Sequence, residues 1–211
     1  MPERGVQPLS REARDAAAPD ELIALAKAGN LRFRSGHRRE RDLLAELRGT
    51  ADAQHPAAVL LSCIDSRAPA EIILDLGLGD ILNCRVAGNV ESDDVLGSLE
   101  YGAKVAGAKL VLVLGHSGCG AVLGAIEGLR LGHLTQLLDK LRPAVDSAEC
   151  AGERSAANRE FVDSVARRNV ALTVEAIRRK SEVIAELERA GALRVAGGFY
   201  DVATGELEFL G

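Results

Sequence analysis

Short, unbroken apolar runs that alternate with segments of helical period are the feature that most restricts this 211-residue chain. Ala57-Ala58-Val59-Leu60-Leu61 follows Pro56 and leads into Ser62, and Leu110 to Leu114 is the purest β-branched and leucine segment present. Continuous runs of this kind suit strands buried on both faces of a parallel sheet. Ile81 to Val86, after the turn residues Gly77, Gly79 and Asp80, reads the same way, and Leu193 to Val195 begins a fourth strand. Between the strands, Val95, Leu99, Gly102 and Val105 follow Ser92 at helical spacing, as do Val170, Val174 and Ile177. The alternation predicts an α/β fold, a mostly parallel sheet flanked by helices and joined by right-handed crossovers. The closing Glu206-Leu207-Glu208-Phe209-Leu210 alternates polar and apolar after Thr204-Gly205, which predicts a half-exposed, antiparallel edge strand.

Ahead of the first strand, Leu22, Leu25, Gly29 and Phe33 fall three or four residues apart, predicting an amphipathic helix with Asp20 as N-cap after Pro19. The charged stretch from Gly36 to Glu46, with His37, Arg38, Arg39, Glu40 and Arg41, reads as a solvated turn and helix face. Residues 1–50 are therefore expected to form an N-terminal helical arm, too amphipathic to stand alone, and residues 51–211 the α/β domain. No linker or internal repeat divides them, so the whole is one structural domain.

Composition narrows the partners. With 26 Lys+Arg against 31 Asp+Glu the formal net charge is −5, which removes the basic footprint of a nucleic-acid binder. No stretch approaches the roughly 18 apolar residues of a membrane span. Glu3, Arg4, Arg11, Glu12, Arg14, Asp15 and Asp20 interrupt the first thirty residues and leave no apolar core for a secretion signal, so a cytoplasmic location is expected. Four cysteines are too few for a disulfide scaffold and suit metal ligands or nucleophiles better.

In an open parallel sheet, ligands bind beyond the carboxyl ends of the strands, above all where strand order reverses. Two such ends carry chemistry: Cys63-Ile64-Asp65-Ser66-Arg67 after the first run, and Gly115-His116-Ser117-Gly118-Cys119-Gly120 after the Leu110 run. Cys63, His116 and Cys119 offer two thiolates and an imidazole, a donor set that zinc prefers, and three protein ligands leave the fourth tetrahedral position open as a catalytic zinc requires. Asp65 has two possible roles: swinging onto the metal to close it, or turning away to pair with Arg67. Cys84, inside a strand run, and Cys150, in a polar connection, read as packing residues. No strand is followed by G-x-G-x-x-G, which argues against a dinucleotide site.

These residues resemble the beta class of carbonic anhydrases. The likeness runs from Cys63-Ile64-Asp65-Ser66-Arg67-Ala68-Pro69-Ala70-Glu71 through Arg85-Val86-Ala87-Gly88-Asn89-Val90 and Ser98-Leu99-Glu100-Tyr101 to the His116 and Cys119 motif, Tyr200-Asp201-Val202 and Thr204-Gly205. It implies reversible hydration of CO2 to bicarbonate and a proton by a zinc-bound hydroxide, with one Zn2+ per subunit held by Cys63, His116 and Cys119. Asp65, oriented by Arg67, would accept the hydroxide proton in a hydrogen bond. Gln54 and the Gly120 amide would contact the substrate, and Leu82, Ala87 and Tyr101 would line its pocket, Tyr101 across a dimer interface. The resemblance also implies arms that wrap a partner in a homodimer or tetramer. A subset of the family closes its zinc on binding bicarbonate at a Trp, Arg and Tyr trio; this chain has no Trp, and Leu60 holds the matching place, which predicts the ungated form. Competing readings are a carbonyl sulfide or carbon disulfide hydrolase on the same scaffold, and a non-catalytic zinc-binding interaction protein.

Overall fold

The computed structural model of the chain describes residues 9–210; residues 1–8, the start of the expected arm with Glu3 and Arg4, and Gly211 lie outside the described residues. Strands β1 (Ala58–Ser62), β2 (Ile81–Arg85), β3 (Leu110–His116), β4 (Arg194–Tyr200) and β5 (Leu207–Leu210) form one sheet in the order β2-β1-β3-β4-β5. The first four run parallel and β5 pairs antiparallel to β4. The helices are α1 (Arg11–Ala16), α2 (Pro19–Arg34), α3 (Leu43–Gly49), α4 (Ala70–Ile73), α5 (Asp93–Glu100), α6 (Gly120–Ile126), α7 (Gly132–Asp139), α8 (Arg142–Ser147), α9 (Arg159–Lys180) and α10 (Glu182–Arg189). None of these helices is long and apolar enough to cross a membrane.

Every residue of the inner strands β1 and β3 is buried, as their unbroken apolar runs require. The side-chain period of two then divides each strand between two helical layers. Leu60, Leu112 and Leu114 pack against Leu22 and Ala26 of α2 and Ile73 of α4. Val59, Leu61, Val111 and Val113 meet Leu96 and Leu99 of α5, Val170, Val174 and Ile177 of α9, and Ile184 of α10. The chain leaves β1 toward α4 on the first layer and leaves β3 toward α6, whose Val122 packs with Val165 of α9. The two exits diverge between adjacent strands, which makes the carboxyl ends of β1 and β3 the switch point of the sheet.

Four expectations need correction. β2 is a sheet edge, mostly half-buried, because a short apolar run reads alike on a covered edge and in the middle of a sheet. The α2 N-cap is Ala18 rather than Asp20: Pro19 takes the first helical position, where its missing N–H leaves nothing unsatisfied, and the Glu21 carboxylate accepts the Ala18 N–H at 2.8 Å. The Val95 to Val105 pattern is not one helix, since α5 ends at Glu100 and Tyr101–Val105 continues as a wider π turn. The charged Gly36 to Glu46 stretch is only partly solvated. Arg41 and Glu46 are 6% and 1% exposed and paired at 2.8 Å, and Arg41 also donates to the Asp75 carbonyl at 2.9 Å. A charge leaves water only when paired and hydrogen-bonded, and here Asp75 and Leu78 complete the local Arg41–Glu46 pair from a distant segment.

Part of the expected arm packs on its own sheet through Leu22 and Ala26, while Leu25 and Leu31 stay exposed. Asn30 secures it, donating to the carbonyls of Ile73 (3.1 Å) and Gly205 (2.9 Å) and accepting the Leu207 N–H (2.9 Å). Beside it, α2 approaches the end of α4 so closely that a Cβ at Gly29 would lie 1.8 Å from the Leu74 carbonyl oxygen. Backbone cannot yield as a side-chain tip can, so Gly29→Ala is expected to destabilise the fold by about 3 kcal/mol or more. In thermal unfolding that is a fall in Tm of about 6 °C or more for a chain of this size.

Candidate metal centre

The register that aligns the strands also aligns their ends. Leaving β1 after Ser62, the chain delivers Cys63 at once and then turns through Asp65 to Ala68, where the Ala68 N–H returns to the Asp65 carbonyl at 3.1 Å. β3 carries His116 as its last residue and passes through Gly118, at φ +61°, to Cys119 at the head of α6. Glycine takes that left-handed conformation without a Cβ penalty. The turn is pinned on three sides: Ser117 N–H donates to the Tyr200 carbonyl (2.9 Å), Val202 N–H to Ser117 Oγ (2.9 Å), and Gly118 N–H to Asp163 of α9 (3.1 Å).

The ligand atoms of Cys63, His116 and Cys119 all lie within 4.8 Å of one another, and the residues are 4%, 1% and 1% exposed. His116 Nδ1 donates to the Ser117 carbonyl at 3.0 Å, a bond that fixes the tautomer and turns Nε2 inward. Nε2 is buried and has no partner among the described residues, an arrangement costly enough to require one. Cys63 Sγ and Cys119 Sγ stand 3.9 Å apart. Tetrahedral zinc with bonds of about 2.3 Å to sulfur sets its two thiolates about 3.8 Å apart, so the donors fit in both type and spacing.

Electrostatics favours one deprotonated sulfur of the pair. The Cys119 thiol, the His116 ring and the amides of Asp65 and Gly88 all stabilise a thiolate at Cys63 and draw its pKa to about 4. The pair shares one proton, so Cys119 is pushed up, mainly by the Cys63 sulfur and then by burial, although the amides of Val122 and Ala121 oppose the shift. A divalent cation could take the place of such a shared proton, since metal binding to thiols releases protons.

Asp65 sits beside this cluster, its Oδ2 3.9 Å from His116 Nε2. Both of its oxygens are engaged by Arg67, Oδ1 from Nε (3.0 Å) and the backbone N–H (2.9 Å), Oδ2 from Nη2 (2.8 Å). The Arg67 side chain holds the carboxyl down to about 2, so it is ionised at neutral pH. Of the two roles open to Asp65, the geometry is that of pairing with Arg67.

The other expected site residues are not all brought together. Gly120 opens α6 next to Cys119, and Ala87 precedes Gly88, whose amide faces the Cys63 sulfur. Leu82 and Tyr101, with Val59 and Ser98, line a separate open hollow of about 640 Å³ on the β2 edge, where Tyr101 is 55% exposed. Gln54 lines a cleft with Thr50, Leu78 and Gly79 at the opposite end of β1 from Cys63. Within one chain it does not reach the cluster, because the whole extended strand intervenes. Sequence reasoning gave no role to Asp163 or to Arg85; the signal for Arg85 is its parallel register with Ser62, which sets it next to Cys63.

Residues 58–207 match the profile of a protein family described as carbonic anhydrase. The chain is 36% identical over 185 residues to carbonic anhydrase 2 of Mycobacterium tuberculosis, covering 85% of this chain and 86% of that protein. It is 35% identical over 188 residues to a carbonic anhydrase of Mycolicibacterium smegmatis, covering 86% and 88%. Among solved structures, it is similar to the beta-carbonic anhydrase CafA of Aspergillus fumigatus, with TM-score 0.70, 29% identity and 90% and 89% of the two chains covered. One of two structures described as tetrameric beta-carbonic anhydrases from Sordaria macrospora gives TM-score 0.69 at 26% identity, covering 91% and 95%.

Proposed function

The chain belongs to the beta class of the carbonic anhydrase family, and from that premise we propose that it hydrates CO2 reversibly to bicarbonate and a proton, using one zinc ion held by Cys63, His116 and Cys119. The observation that carries the zinc is the buried, unpartnered His116 Nε2 facing two sulfurs 3.9 Å apart. Zinc held there would lower the pKa of a bound water far below its bulk value of about 15.7 and so would supply a nucleophile for the CO2 carbon, although two thiolates would make it a weaker acid than an all-imidazole site.

The chain's own residues do the rest. Asp65, ionised and aimed by two bonds from the Arg67 side chain, accepts a hydrogen bond from the proton of the attacking oxygen and so orients its lone pair at the carbon. Arg67 acts only as the clamp. The amide of Gly120 stands ready for a substrate oxygen at the head of α6. Ala87 gives apolar surface beside the cluster, and Leu82, Tyr101 and Gln54, which lie away from it within one chain, meet the substrate from a second copy of the chain.

Exposed apolar side chains support that assembly: Tyr101, Val105, Leu43, Leu44 and Leu47 are all left open to solvent in the single chain. We read the protein as a homodimer or tetramer with residues 1–50 as the arm. Leu60, fully buried in the core, has no hydrogen-bond donor to offer bicarbonate at the place where gated members carry Trp, which favours the ungated form. Two cysteines that must stay reduced to hold zinc suit a reducing, cytoplasmic setting. The test is zinc removal and return, with hydration followed by stopped flow through a pH indicator. Hydration is expected to vanish with a chelator and to return in proportion to zinc; a rate independent of zinc content would end this reading.

A further inference from the structure

The β1–β2 ladder stops where the chemistry starts. After Ser62, whose carbonyl takes the Val86 N–H at 3.0 Å, β1 diverges and the next carbonyls leave the ladder. Arg85, the last residue of β2, meets them. Its Nε donates to the Cys63 carbonyl at 2.9 Å and its Nη2 to the Asp65 carbonyl at 2.6 Å. One planar guanidinium thus spans the segment that bears a metal ligand and the carboxylate beside it. The fork geometry matters, because two donors in a fixed plane orient both peptides at once where an ammonium satisfies one acceptor as a point charge. Peptide orientation in turn sets where the Cys63 and Asp65 side chains project.

Arg67 alone does not explain the arrangement. It holds the Asp65 carboxylate and reaches toward the Gly118 carbonyl at 3.4 Å, yet it rides on the same short loop, so it fixes Asp65 relative to itself. Arg85 ties that loop to the sheet. Its side chain is exposed and belongs to none of the core clusters, so its value to global stability is small.

We propose that Arg85 is the positioning residue of this centre: its grip on the Cys63 and Asp65 carbonyls holds the Cys63 sulfur toward the other two ligands and keeps the Asp65 carboxylate on Arg67. The inference rests on the zinc-dependent reading above. It is tested with zinc-loaded wild type, Arg85→Ala and Arg85→Lys, measuring zinc release to a competing chelator, kcat and KM for CO2, and thermal unfolding. Loss of groups that orient metal ligands lowers metal affinity or activity by about 10- to 100-fold. Arg85→Ala is expected to release zinc about 10-fold faster or more and to lose kcat by a similar factor. KM and Tm should stay near wild type, and Arg85→Lys should fall between the two proteins. Zinc release and kcat unchanged in Arg85→Ala would overturn the proposal. If Arg85→Ala does not fold, Arg85→Lys decides, since zinc release equal to wild type would show that the two-carbonyl grip is not needed. A wild type that keeps zinc but hydrates no CO2 would defeat the proposed function instead, while the zinc-release comparison would still judge Arg85.

Discussion

Asp65→Ala is expected to keep its zinc and its fold while kcat for CO2 hydration falls by about 10²- to 10³-fold, the scale of losing one preorganised polar contact at a reacting centre. The carboxylate lies 3.9 Å from His116 Nε2 but is bonded to Arg67, so its removal takes away no ligand of the three-residue set. Arg67 is 54% exposed and is left solvated rather than buried and unpaired, which spares stability. Zinc content by atomic absorption, Tm and stopped-flow kcat measured together separate the outcomes. Loss of zinc would make Asp65 a ligand, and wild-type kcat would remove it from the reaction.

His116→Ala has the other large effect. It removes the only imidazole of the set and leaves two sulfurs 3.9 Å apart that cannot complete a catalytic zinc site by themselves. The protein is expected to purify with zinc well below one per chain and to show no hydration above background at any added zinc. Full zinc occupancy in the variant would mean that the metal sits elsewhere.

How much of this was legible depends on whether the deciding partner was local. β1 and β3 could be read because both faces of an inner parallel strand are apolar, and the motifs at their ends were conspicuous because reactive groups follow buried runs directly. β2 reads like them although one side of it is an edge. Ala18 was hidden as an N-cap because its partner is the Glu21 carboxylate and its own side chain has no acceptor. The burial of Arg41 could not be inferred from its neighbours, since Asp75 and Leu78 complete the network from beyond β1. Gln54 was counted by its distance from Cys63 in sequence, yet an extended strand carries those two positions to opposite ends of the sheet. Arg85 becomes significant only once the parallel register sets it beside Ser62.

The central claim is that the three-residue cluster holds zinc while Arg67 keeps Asp65 off it, leaving the fourth position for water. A crystal structure of the zinc-loaded protein at mildly alkaline pH tests this most directly. The account predicts zinc bonded to Cys63 Sγ, His116 Nε2, Cys119 Sγ and one water, with the Asp65 carboxylate still on Arg67. An Asp65 oxygen bonded to zinc under those conditions would contradict it.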